Sequence, residues 1–382
     1  MFLVFLCLCT QAAPRVTDLN PPPGSTQASP NLVTITFSAP IDPASVSAAT
    51  LSLVGRGSDG LFGTADDVIV APNSLSATGN QVTLVLTGQT LPDDLYRVRL
   101  SGSLSTPATF AGLYGYWRLD EGGGTSTADS SGNGRNGTLN GPAWTPGVFG
   151  NALAFNPGVN KVDIDAGIVA TPWTASLWVN RIDSPGIESC LMDSPAALNT
   201  ATSLRLEQLS PLNRSGITDY NVADYAFNYT APENTWVHLT FVGNSLTSTS
   251  LYVNGVLTST LGNGINLYVY KLGGDKASAF RGTLDEVQVY NRVLNAGEIT
   301  GVAGLAGCIR SATGEVLDGE FSGSFPTGNG TAGGDFAATF SVSSTFANLT
   351  AGGCGGLGAE ALIPWIIALG LRRGARRFQG NR

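Results

Sequence analysis

A chain of 382 residues with 49 glycines and 20 prolines has room for two domains built from short elements and tight turns. Its apolar share of 42% is too high for a disordered chain, and only 13% of its residues are charged. The formal charge is −8, and Arg372, Arg373, Arg376, Arg377 and Arg382 cluster at the extreme C-terminal end, so no basic face is left to track nucleic acid.

Residues 1–13 read as the apolar core of a signal peptide. Leu3 to Cys9 form the apolar run, and Ala12 and Ala13 supply the small residues a peptidase needs. The basic opening of such a segment is missing, so it is a shortened signal or else an apolar first strand. Export implies an oxidising compartment, in which Cys190 and Cys308 are the candidate disulfide pair. No C-x-x-C or Cys/His cluster is present, so no zinc site is expected.

Residues 14–102 alternate apolar and polar positions in short runs. Val33, Ile35 and Phe37 form one such set; Val82, Leu84 and Leu86 a second; Tyr96, Val98 and Leu100 a third. A period of two marks half-buried strands, and about ninety residues of them predict a sandwich of immunoglobulin type. The runs PRVTDLNPPPGS, ITFSAPIDPASVS and LPDDLYRVRLSG resemble the bacterial Ig-like modules of S-layer and adhesin proteins. That resemblance implies a spacer or stalk. The loop 58–67 carries Asp59, Asp66 and Asp67 among glycines, hard oxygens of the kind calcium takes. It lacks EF-hand spacing, and the preferred reading is a solvated hairpin tip.

A Ser/Thr/Pro-containing linker, 103–112, leads into the segment 113–300. This segment holds LYGYWRLDEG, DSSGNG, FGNAL, ASLWV, TWVHL, LYVNG and FRGTLDEVQVYNR in that order. The series resembles the laminin-G-like, concanavalin A-like jelly roll of bacterial surface proteins. Asn254-Gly255 predicts a two-residue hairpin, because a type I′ turn needs positive φ at both central positions. Val237, Leu239 and Phe241 should face a core between two sheets, with Trp236, His238 and Thr240 on the opposite face. A short helical turn is expected around Leu294 to Ile299. Residues 301–351 show weak strand patterning at 316–325 and 336–342, and read as a separate β-rich or extended segment. In 352–382 a Gly/Cys motif, a short apolar helix (Ala361 to Leu371) and an Arg cluster resemble a tripartite C-terminal sorting signal. The resemblance implies Cys354 as the anchoring residue and a membrane contact, with the arginines on the cytoplasmic side.

The fold class expected is therefore all-β: an Ig-like sandwich, a laminin-G-like jelly roll and a short C-terminal hydrophobic helix. Catalysis lacks obvious parts. His238, the only histidine, sits mid-strand and reads as a core or sheet-face residue. Asp285 and Glu286 are adjacent, so regular alternation would send them to opposite faces. The jelly-roll resemblance implies a structural calcium ion with Asp285 as the main ligand and Asp120 near the first strand. Asp129 is either a ligand or the cap of its own turn. Tyr220, Tyr225 and Tyr229 lie in the poorly patterned stretch between Asp183 and Pro232, where loops above a rigid sandwich would contact a ligand. Together these features predict an exported, envelope-anchored, non-catalytic recognition or adhesion protein that binds extracellular carbohydrate or protein. The alternatives are a cell-surface spacer without a ligand, and a polysaccharide-active enzyme.

Overall fold

The computed structural model describes residues 12–156, 160–182, 189–195, 201–209, 212–274 and 279–345. The sorting-signal reading, with Cys354, and nearly all of the signal-peptide reading lie outside them.

The first sandwich packs a four-stranded sheet on a five-stranded one. The four-stranded sheet joins Val16–Asn20, Leu32–Phe37, Gln81–Val85 and Ser74–Thr78. The alternation read from the sequence sets its register. Val33, Ile35, Phe37, Val82 and Leu84 are buried between the sheets, and so are Tyr96, Val98 and Leu100 from the other side. The five-stranded sheet holds a strand from far along the chain. Phe336–Val342 pairs antiparallel with Asp94–Leu100 and parallel with Thr26–Gln27. Phe336, Phe340 and Val342 point into the core, together with Ile309 and Leu317.

This pairing corrects the linear reading of the domains. The sandwich does not end at residue 102, and much of 301–351 is no separate segment. The jelly roll is inserted into the Ig-like sandwich, which closes only when the chain returns. The pattern of 336–342 was visible, but periodicity cannot say which sheet a strand joins.

The second sandwich consists of two eight-stranded sheets around one large core. The first sheet is centred on Trp173–Arg181, Trp236–Ser245 and Gly282–Tyr290. The second runs through Lys161–Asp163, Ser189–Asp193, Thr202–Gln208, Arg214–Asp219 and Ala223–Ala226. Val237, Leu239 and Phe241 face the core as expected. Asn254 and Gly255 take φ of 48° and 81°, and Val253 pairs with Val256 across them. Helix Ala296–Val302 follows the last strand. Asn295 caps it, accepting from Glu298 N while the Glu298 side chain returns the bond. Among the described residues no helix is long and apolar enough to cross a membrane.

The outer face of the first sheet is also buried. Trp178 meets Ala303, Leu305 and Cys308 there, and Val242 and Tyr290 meet Leu294, Ile299 and Val302. Chain segment 303–317 thus covers the jelly roll at its start and enters the Ig-like core at its end. Arg310 pairs with Asp42 at 2.9 Å along the way.

Candidate functional site

The predicted ligand tyrosines do not stay together. Tyr225 and Tyr229 pack against the jelly-roll core, and burial raises the Tyr229 phenol well above its usual range. Tyr220 lines an open cavity of about 370 Å³ at one end of the sandwich. Three turns converge there. The turn after Arg214–Asp219 supplies Asp219, Tyr220, Asn221 and Val222. Leu246 comes from the tip between Trp236–Ser245 and Ser248–Val253. Ile265, Asn266 and Tyr268 come from the approach to Leu267–Tyr268.

Several hydrogen bonds fix these turns. Val222 N donates to Asp219 O at 2.9 Å, and Tyr220 N to Ala201 O at 2.9 Å. Trp173, fully buried, donates its indole N–H to Ile265 O at 2.8 Å. Thr202 Oγ1 donates to Asn266 O at 2.5 Å, and Asn266 Oδ1 accepts from Thr171 N at 3.2 Å.

Behind the cavity lies a polar network that sequence reasoning missed. Arg205 Nη2 donates to Tyr220 Oη at 2.8 Å, and Tyr220 Oη donates to Asp193 Oδ1 at 3.3 Å. Arg205 is 1% exposed and Asp193 6%. Burial raises the Asp193 carboxyl and the Tyr220 phenol. Tyr220 is therefore held by its hydroxyl from behind. Arg205 and Asp193 sit in strand-like text, and only the polarity of those strands hinted at the network.

The carboxylates assigned to calcium behave differently from one another. Asp129 accepts from Tyr116 N and Ser131 N on Oδ1 and from Arg135 N on Oδ2, at 2.9–3.0 Å. It caps its own turn, the alternative the sequence offered. Asp120 accepts from Asn151 N and from Arg118 Nε, each at 3.0 Å. Asp285 Oδ2 accepts from Val148 N at 2.8 Å and Phe149 N at 3.0 Å. Asp120 and Asp285 therefore meet at one turn, whose glycines leave room for them. A Cβ at Gly147 would lie 2.5 Å from Asp285 Oδ2, and one at Gly150 2.2 Å from Asp120 Oδ1.

Asp285 and Glu286 do not point to opposite faces. Trp178 pairs with Asp285 but Ser176 with Gln288, so one extra residue is inserted, and Glu286 takes φ 52°. This is a β-bulge. Leu284 and Val287 remain in the core, while both carboxyls leave it on the outer side. Glu286 accepts from Tyr116 Oη. Burial pushes both carboxyls up to about 7. Asp285 Oδ1 and Glu286 Oε1 are buried with no hydrogen-bond partner. Arg118 Nε faces Glu286 Oε1 at 3.9 Å, which leaves Asp285 Oδ1 as the oxygen open to a cation. Among the described residues, however, no group of three or more His, Cys, Asp or Glu side chains gathers as a metal set.

The loop with Asp59, Asp66 and Asp67 is internally bonded. Asp66 accepts from Ser58 N, Ser58 Oγ, Asp59 N and Thr64 Oγ1 at 2.7–2.9 Å, as a closed hairpin tip does. Cys190 and Cys308 are free and buried, which corrects the disulfide expectation. Cys190 lies on a strand of the second sheet, near Arg205 and Asp193. Cys308 packs on Trp178 outside the first sheet. The whole sandwich separates them.

A model described as the concanavalin A-like lectin/glucanases superfamily matches residues 157–300, and one of bacterial Ig-like domains matches residues 10–115. The chain carries a bacterial Ig-like domain and a concanavalin A-like domain. The Ig-like match ends before the returning strand Phe336–Val342, and the concanavalin A-like match begins after strand Leu113–Trp117. No curated protein sequence matches the chain. Among solved structures, it is similar to domain 4 of AbnA, a GH43 extracellular arabinanase from Geobacillus stearothermophilus, in complex with arabinotriose. The identity is 20% and the TM-score 0.42, over 50% of this chain and 98% of that one. The binding domain of Paraclostridial mosquitocidal protein 1 is 19% identical with a TM-score of 0.36, over 50% and 51%. Trypanosoma rangeli sialidase is 16% identical with a TM-score of 0.40, over 53% and 35%. The chain thus spans about half of the mosquitocidal protein's binding domain and about a third of the sialidase.

Proposed function

We propose that this is an exported, envelope-associated recognition protein whose jelly roll binds carbohydrate in the end cavity without chemical turnover. The observation that carries the reading is the cavity's lining. Tyr220 and Tyr268 supply aromatic surface for the C–H faces of a sugar ring, and Asp219, Asn221 and Asn266 supply planar polar groups suited to paired hydroxyls. Among the described residues no Lys or Arg lines it. An acidic sugar would face Asp219 without a counter-charge, so the ligand class is a neutral oligosaccharide.

The non-catalytic reading rests on burial. Asp285 and Glu286, the carboxyl pair brought to one face, are both 0% exposed, and a glycosidase pair must flank a bound substrate. A calcium ion would instead be held there through Asp285 Oδ1, which has no hydrogen-bond partner, while Arg118 Nε faces Glu286 Oε1 at 3.9 Å, and the ion would supply charge compensation to a structural strut. The expected outcome is a higher melting temperature in calcium than in EDTA, an increment that Asp285→Asn removes. An Asp285→Asn protein that keeps the full increment contradicts the assignment.

A glycan array tests the function. The chain should retain neutral oligosaccharides and ignore sialylated and uronate-containing ones, and Tyr268→Ala should weaken retention at least tenfold. Silence across the array from folded protein, or a preference for acidic glycans, would overturn the reading.

A further inference from the structure

The two ends of the inserted jelly roll meet inside the Ig-like sandwich. Leu100, where the chain leaves, is paired with Phe336, where it returns. The outgoing and returning chains then run side by side. Ile309 N donates to Ser101 O at 2.8 Å, Ser105 N to Gly304 O at 2.9 Å and Ala108 N to Gly301 O at 2.9 Å. The jelly roll itself opens and closes at one place, with Leu113 paired to Tyr290 and Asn291 N donating to Gly112 O at 3.0 Å. While these contacts hold, a pull on the chain finds no separation across the jelly roll on which to act.

The outer ends of the sandwich are placed differently. Pro14 O accepts from Asp318 N at 2.9 Å, and Asp318 bridges to Gly333, just before the start of strand Phe336–Val342. Thr345 follows the other end of that strand, where Ser344 N donates to Asp93 Oδ1 at 2.7 Å. Between them lies a parallel contact. Thr26 pairs with Ser341 and Gln27 with Val342. Gly24 N donates to Thr339 O at 2.7 Å, Ser341 N to Ser25 O at 2.8 Å and Ser343 N to Gln27 O at 2.8 Å. Bonds between strands run across the strand direction, so a pull from Pro14 to Thr345 loads these together in shear rather than one at a time.

We propose that a pull applied between Pro14 and Thr345 is borne by the Ig-like sandwich, with the jelly roll held outside the load path as a side branch. A binding domain in that position keeps its fold, and its end cavity, under a force that would distort a domain threaded in series.

Single-molecule stretching of the full chain, with handles inserted before Pro14 and after Thr345, tests this. The first rupture should belong to the sandwich, releasing roughly 100–140 residues or about 35–50 nm at about 3.4 Å each. The second should release the roughly 190 residues of the jelly roll, about 65 nm. Ser341→Pro removes one amide of the parallel contact and should lower the first force while leaving the second unchanged. Thr258→Pro, on the jelly-roll edge strand Val256–Leu261, should leave the first force unchanged. A first step of about 65 nm in the wild-type chain would overturn the proposal, as would a Ser341→Pro chain that ruptures first at the wild-type force. The wild-type order decides the matter even if a proline variant fails to fold.

Discussion

His238 is fully buried, with Ser176 Oγ 2.9 Å from its Nε2 and Trp178 edge-on at 5.3 Å between ring centroids. Neither neighbour carries charge, and burial holds the imidazole down at about 3, far below its ordinary 6.5. Between those two values the unfolded chain binds the proton and the folded chain does not, so stability falls as pH drops through that window. The expected loss is about 1.4 kcal/mol per pH unit from this group. Denaturant unfolding at pH 7 and pH 4.5 should show it, and His238→Gln should flatten the dependence by that amount. Equal slopes in both proteins would mean that His238 is already charged in the fold. The sequence could place this histidine on a strand face, because its neighbours alternate. It could not place Asp285 and Glu286, because a bulge breaks the same alternation and leaves no mark in residue type. For the same reason the partnering of Tyr220 with Arg205 and Asp193 was not legible. It depends on two strands being neighbours, and pairing is a property of the sheet.

At the scale of elements, the decisive strand is Phe336–Val342. Its alternation of Phe336, Ala338 and Phe340 announced a strand, but its home, beside Asp94–Leu100, lies some 240 residues upstream. Phe340 stacks on Tyr96 with ring centroids 5.9 Å apart and is 0% exposed. Phe340→Ala should therefore destabilise the first sandwich by about 3–5 kcal/mol, the usual cost of emptying a buried phenylalanine site. Among the described residues every tryptophan belongs to the jelly roll or its covering layer, so in a Trp365→Phe background tryptophan fluorescence reports that domain. Circular dichroism should show an early transition in Phe340→Ala that fluorescence does not follow. A fluorescence transition displaced by the same amount would show that the two sandwiches unfold as one. Turn chemistry, by contrast, was readable residue by residue. The Asn254-Gly255 turn stands where the sequence put it, and helix Ala296–Val302 begins within the stretch where a helical turn was expected.

The whole molecule joins a concanavalin A-like jelly roll to a sandwich that encloses both of its connections. Both fold types were legible from composition, alternation and resemblance, whereas the insertion was not. The end cavity was only half legible: Tyr220 was singled out, while Asp219, Asn221, Asn266 and Tyr268 came from turns that converge only in three dimensions. The central claim is that this cavity, and not another face of the jelly roll, holds a neutral sugar. Amide hydrogen exchange of the full chain, with and without the neutral oligosaccharide best retained on an array, addresses it most directly. The account predicts protection confined to segments 219–222, 245–247 and 264–268. Protection elsewhere on the jelly roll, with those segments unchanged, would contradict it.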